Sequence, residues 1–197
     1  MIAEYKILAC ANKKLQSLLT FYNAGISRFY STVKCNSTMI TAYYNIQSKH
    51  SHEQYVEWMS NMLTVQDCLV IFTDPDTMET IRSLRPAAYP TLIIPYTIDT
   101  FLVNTILTSE DWDTHEKMDP ESGIGHNRDL YAVWNEKANM MKIVADDNPF
   151  SSSYFVWLDI GAVRQAGNNH QKLIRRIPED KGVLLLSVEH GRVHSQG

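Results

Sequence analysis

The sequence predicts an α/β fold with a mainly parallel sheet and helices on both faces. Three observations carry this. Short apolar or β-branched runs alternate with stretches of helical periodicity, the order expected of a parallel sheet with crossover helices. One of the runs, CLVIFT at residues 68–73, is apolar throughout, as a strand buried on both faces requires. The chain has 197 residues, 44% hydrophobic and 20% charged, enough for one domain with a real core.

The elements follow in order. Residues 1–36 show no clear periodicity, apart from a short helical stretch over Lys13 to Tyr22. MITAYYNI (39–46) is β-branched and aromatic and reads as a strand. In SHEQYVEWMSNML (51–63), Tyr55, Trp58, Met59 and Met62 share a helical face, and Ser51 with Gln54 forms a capping-box pattern. CLVIFT follows, ended by Asp74-Pro75-Asp76 as a turn and helix start. Thr77 to Leu84 reads as a helix and TLIIPY (91–96) as a strand with Pro95 at its exit. Ile98 to Leu107 fits either state. Ser109 to Asn127 is polar and rich in turn residues, and reads as a long loop.

RDLYAVWNEKANMMKIVAD (128–146) is the longest helix, with an apolar stripe at Leu130, Val133, Trp134, Ala138, Met141 and Ala145. Lys137 falls on or beside that stripe, so it must snorkel outward or meet an anion. Glu136 is expected to point away into solvent. YFVWLDI (154–160) is a fourth strand, His170 to Arg176 a helix, and VLLLSV (183–188) a last strand. His126, in the turn before the long helix, is expected to face solvent.

The composition bears on partners as well. The net charge of −4 suggests no nucleic-acid partner, and Lys172, Arg175 and Arg176 read as a solvated helix face. No segment holds the roughly 20 apolar residues of a membrane span. Cys10, Cys35 and Cys68 follow no metal spacing and suggest no disulfide framework. With no clear signal peptide the compartment defaults to the cytoplasm, but Asn36-Ser37-Thr38 is a glycosylation acceptor sequence that would matter in a secretory lumen.

Ligands of such sheets bind at the carboxyl ends of the strands. Asp74 and Asp159 each follow a strand, so two carboxylates point toward that edge. Either could equally be a turn residue. LDIGA at 158–162 also fits the first half of the Asp-x-Gly-x-Gly motif of class I methyltransferases. Val163 and Arg164 then replace the needed glycine, and the motif comes near the end of the chain rather than the beginning.

Thr41-Ala42-Tyr43-Tyr44-Asn45, Lys49-His50-Ser51, Tyr55-Val56-Glu57-Trp58-Met59, Ile71-Phe72-Thr73-Asp74, Asp119-Pro120-Glu121, Leu130 to Lys137, Asn148-Pro149-Phe150 and Phe155 to Gly161 occur in the order of the HtrL/YibB family. Over about residues 38 to 188 the chain resembles that family, whose bacterial members are associated with lipopolysaccharide core assembly. The resemblance implies a GT-A-like fold and a glycosyltransferase acting from a nucleotide-diphospho-sugar donor on a glycan or lipid-linked acceptor. It matches Thr41 and Tyr43 to the strand where the base packs, and Asp74 to a strand end near the base. Asp159 matches the first carboxylate of the Asp-x-Asp motif that holds Mn2+ or Mg2+ on the donor diphosphate. Gly161 stands at the second position and cannot ligate. Two readings therefore stay open for Asp159. It is a metal ligand, or it bonds the donor ribose or sugar while Lys137 and Arg164 neutralise phosphate. By the same resemblance residues 1–36 lie outside the match, and 37–197 form a donor-binding domain truncated at its C-terminus. A truncated chain of this kind could instead be an inactive binding or interaction protein.

Overall fold

The computed structural model describes residues 33–165. The stretches at Lys13 to Tyr22, His170 to Arg176 and 183–188, and the Lys172, Arg175 and Arg176 cluster, lie outside them. The predicted class holds. Four strands, β1 (Ser37–Tyr43), β2 (Cys68–Thr73), β3 (Thr91–Pro95) and β4 (Tyr154–Trp157), form one parallel sheet in the order β3-β2-β1-β4. Helices α1 (His52–Met62) and α2 (Met78–Leu84) cover one face. The other face is covered by α3 (Val103–Ile106), α4 (Ser109–Met118) and α5 (Arg128–Asp147).

Side-chain alternation along β1 and β2 divides the core accordingly. Met39, Tyr43, Leu69 and Ile71 pack with Met59 and Met62 of α1 and Ile81 of α2. Ile40, Ala42, Tyr44, Val70 and Phe72 pack with Ala132, Met140 and Val144 of α5. Every residue of β1 and β2 is buried. The expected capping box is present, with Ser51 Oγ accepting from the Gln54 amide and Gln54 returning a bond to the Ser51 amide. Arg85, buried after α2, donates to the carbonyls of Leu63, Val65 and Asp67 and to Thr91 Oγ1. It thereby stitches the α1–β2 turn to β3, and burial lowers its pKa to about 10.

Several expectations are corrected. The stretch 109–127 is not one loop: α4 occupies Ser109–Met118, capped by Thr108 and Asp111, with Trp112 buried against the core. The ambiguous stretch 98–107 forms a 3-10 turn, Ile98–Thr100, and then α3. β1 is shifted toward the N-terminus relative to 39–46, and β4 ends at Trp157 rather than 160. Cys35 and Cys68 form a disulfide, with Cα atoms 6.4 Å apart. Their spacing of 33 residues fits no motif, but β1 and β2 are parallel neighbours, so their N-terminal ends lie side by side.

The stripe read along α5 is also off in phase. Trp134 is 44% exposed and Ala138 and Ala145 are exposed, while Tyr131, Ala132, Glu136, Met140, Ile143 and Val144 are buried. Glu136, expected in solvent, is 1% exposed. Its carboxylate accepts from Tyr96 Oη (2.6 Å), the amides of Leu102 (3.1 Å) and Val103 (3.0 Å), and Asn139 Nδ2 (2.5 Å). These donors satisfy the buried charge and fasten α5 to the start of α3. A charged residue thus lies on the buried face, and a pattern read from apolar residues alone is rotated away from it.

Two outcomes follow. Reducing the Cys35–Cys68 bridge should cost about 3–4 kcal/mol in denaturant unfolding, the chain-entropy value for a loop of this size. An unchanged midpoint in reductant contradicts this. Glu136→Ala should destabilise by about 2–5 kcal/mol, because each buried donor left without an acceptor costs about 1–3 kcal/mol. A loss under about 1 kcal/mol would show that these donors find water instead.

Candidate functional site

Strand order locates the crevice. β1, β2 and β3 succeed one another outward, and the chain then crosses to place β4 on the other side of β1. The strand order thus changes direction between β1 and β4, and the gap at their carboxyl ends is the topological switch point where sheets of this kind bind ligands. Asp159 lies there. Leu158 still bonds from its amide to the Ile40 carbonyl (2.9 Å), and Asp159 is the next residue. Its carbonyl accepts from the Ala162 amide (2.9 Å), so the chain turns at once into Gly161.

The Asp159 side chain is exposed but engaged. Its Oδ1 accepts from Lys137 Nζ at 2.6 Å and from Trp157 Nε1 at 2.8 Å. The ammonium also lies 5.5 Å from the Trp157 ring centre, within cation–π range. Lys137 thus meets an anion. The side chains are 27% and 63% exposed, so the pair contributes at most about 1 kcal/mol to stability.

Gly161 packs under the aromatic side chains of α1. A Cβ there would lie 3.1 Å from Trp58 Cε3 and 3.5 Å from Tyr55 Cε1. Trp58 is itself held between Tyr55, the His50 ring and the Arg164 guanidinium, the last 4.7 Å from its ring centre. The turn after β4 therefore carries Asp159 toward α5 and sets Gly161 and Arg164 against α1.

The remaining predicted site residues are placed differently. Thr41 is fully buried mid-strand, with a hydroxyl that has no hydrogen-bond partner. Tyr43 is 4% exposed, and its hydroxyl pairs with His52 Nδ1 at 2.8 Å. Burial, and then Tyr55, raises its pKa. Neither offers a face for a base to stack on. Asp74 follows β2, two strand spacings or about 10 Å across the sheet from β4. Its pKa is raised, first by burial and then by the carboxylates of Asp76, Asp99 and Asp129. The β2 end of the edge is therefore acidic, whereas the β4 end carries Lys137 and Arg164.

A second cluster borders the crevice that residue types alone did not reveal. His126, expected in solvent, is largely buried. Its Nδ1 lies 2.7 Å from Asp119 Oδ2, its Nε2 lies 3.1 Å from Glu121 Oε2, and its ring meets the edge of Trp134. Tyr131 Oη donates to the same Asp119 oxygen (2.9 Å), and Lys49 Nζ pairs with Glu121 (2.5 Å). These contacts tie residues 119–127 to the loop after β1. Gly125, at φ 120°, allows the approach, since a Cβ would meet Lys49 N at 2.6 Å and Ser48 C at 2.7 Å. The signal in the sequence was the acid-turn-histidine spacing of Asp119, Glu121 and His126 before a capped helix.

A family model described as "Bacterial protein of unknown function (HtrL_YibB)" matches residues 35–191. The chain belongs to the HtrL/YibB family. No curated protein and no solved structure matches it. For this HtrL/YibB chain, no helix among the described residues is long and apolar enough to cross a membrane.

Asp119 has a pKa below the ordinary carboxylate value, held there first by the Glu121 amide and then by the His126 ring. A depressed carboxyl stabilises the fold above its unfolded pKa, and that contribution is lost as pH falls through the folded value. Exchange protection of the Glu121 amide, corrected for intrinsic rate, should therefore collapse in acid below roughly pH 4. Protection that persists unchanged to roughly pH 2 contradicts the contact.

Proposed function

We propose that the chain binds a nucleotide-diphospho-sugar donor in the crevice at the carboxyl ends of β1 and β4, and that it is a glycosyltransferase acting on a glycan or lipid-linked acceptor. The observation that carries this reading is the Asp159 carboxylate, paired with Lys137 and exposed at the switch point of an all-parallel sheet. A carboxylate there suits donor hydroxyls, because it accepts from a ribose or sugar diol and cannot favour phosphate directly.

Charge orders the donor along the edge. The acids Asp74, Asp76, Asp99 and Asp129 repel a diphosphate from the β2 end, leaving that end to the neutral nucleoside. Lys137 and Arg164 draw the diphosphate to the β4 end. When the sugar–phosphate bond breaks, the electron pair stays on the departing diphosphate oxygen, and these cations offset its charge. Tyr55 and Trp58 of α1 are half-buried aromatic rings beside this end, already packed with His50, Gly161 and Arg164.

Uridine, guanosine and adenosine diphosphates, each tested with Mg2+ or Mn2+ present, are the probes. At least one should raise the melting temperature of the chain in a saturable way. Asp159→Ala should abolish that shift while leaving the ligand-free melting temperature within a few degrees, since an exposed pair contributes little. The donor site is misassigned if the variant binds with unchanged affinity. A chain that binds but never releases nucleoside diphosphate from a nucleotide sugar in the presence of glycan acceptors is a donor-binding protein rather than a transferase.

A further inference from the structure

We infer that this chain binds a diphosphate without a divalent cation, and that Lys137 is the positive charge in the cation's place. The inference rests on the donor-site reading and specifies how that site handles charge.

Two features oppose a metal. First, Asp159 Oδ1 already receives two N–H donors, the Lys137 ammonium at 2.6 Å and the Trp157 indole at 2.8 Å. A divalent ion approaching that oxygen must displace the ammonium. Second, the neighbouring position cannot supply a second carboxylate. Even a Cβ at Gly161 would press on Trp58 at 3.1 Å, and Trp58 is confined by His50 and Arg164. Divalent ions on phosphates still require about one or two protein carboxylates. The carboxylate at the β4 end of the crevice, Asp159, already carries a lysine as its counter-charge.

Two features suit Lys137 for the role. It is placed by a buried neighbour: Glu136 fixes the rotation of α5 from within the core, so the next side chain emerges toward the β4 end. Its bond to Asp159 is also inexpensive to open. The pair is exposed and contributes at most about 1 kcal/mol, whereas a charge-assisted bond to phosphate in the crevice is stronger. The ammonium can pass from Asp159 Oδ1 to a phosphate oxygen. Asp159 keeps the Trp157 N–H and becomes free to accept from a donor hydroxyl.

Calorimetric titration with the nucleoside diphosphate that gives the thermal shift tests this on the full chain. The titration is run in EDTA and then in Mn2+ or Mg2+. Affinity should agree within about twofold across the three conditions, a difference under 0.5 kcal/mol. In EDTA, Lys137→Met should lose about tenfold or more, and Lys137→Arg should retain most of the affinity. Gly161→Asp should lower the melting temperature without making binding depend on Mn2+. Binding that appears only with the cation overturns the inference and leaves the donor site standing. So does full affinity of Lys137→Met in EDTA. No binding under any condition overturns the donor site, and this inference with it.

Discussion

The carboxylate of Glu136 is buried in the core between α5 and the β3–α3 connection, and the placement of the crevice depends on it. An unpaired charge there would be prohibitive, so the fold surrounds it with a tyrosine hydroxyl, two backbone amides and an asparagine. Three of those donors, Tyr96, Leu102 and Val103, lie outside α5, and they are met together in one rotation of the helix, while Asn139 lies on α5 itself. That rotation buries Ala132, Met140 and Val144 and leaves Trp134 at the surface. It also directs Lys137, one residue on, to the end of β4. The interaction is structural, yet it decides which cation stands beside Asp159.

Around that anchor the carboxyl edge of the sheet divides by charge. The β2 end gathers four carboxylates, and the β4 end pairs its acid with a lysine and places an arginine five residues later. The aromatic layer of α1 fills the space a second acid would need, as the Gly161–Trp58 contact shows. On the opposite flank, His126 and its two acids bind residues 119–127 to the loop after β1. The crevice thus has one flank set by aromatic packing and the other by an ionic cluster.

Much of this was legible in the sequence. The four described strands, α1 with its capping box, α2 and the length of α5 all follow from periodicity and turn chemistry. So does the position of Asp159 at a strand end. What was not legible has identifiable causes. α4 is almost wholly polar, and its apolar anchor is the lone buried Trp112. Its signal was the Thr108–Asp111 cap rather than any stripe. The phase of α5 was lost because a hydrophobic pattern treats Glu136 as solvated. The Cys35–Cys68 bridge depends on parallel pairing of β1 with β2, which no local spacing encodes. Thr41 and Tyr43 were matched to a base site by family pattern, but side-chain alternation turns both into the α1 layer.

The pairing of Asp159 with both Lys137 and the Trp157 indole offers a direct reporter of whether this crevice receives a diphosphate. The indole N–H resonance of Trp157, assigned by Trp157→Phe, can be followed while a nucleoside diphosphate is added in EDTA. The account requires a saturable shift of that resonance as Lys137 leaves Asp159, with the buried Trp112 indole unmoved. A ligand that binds and leaves the Trp157 resonance in place contradicts it.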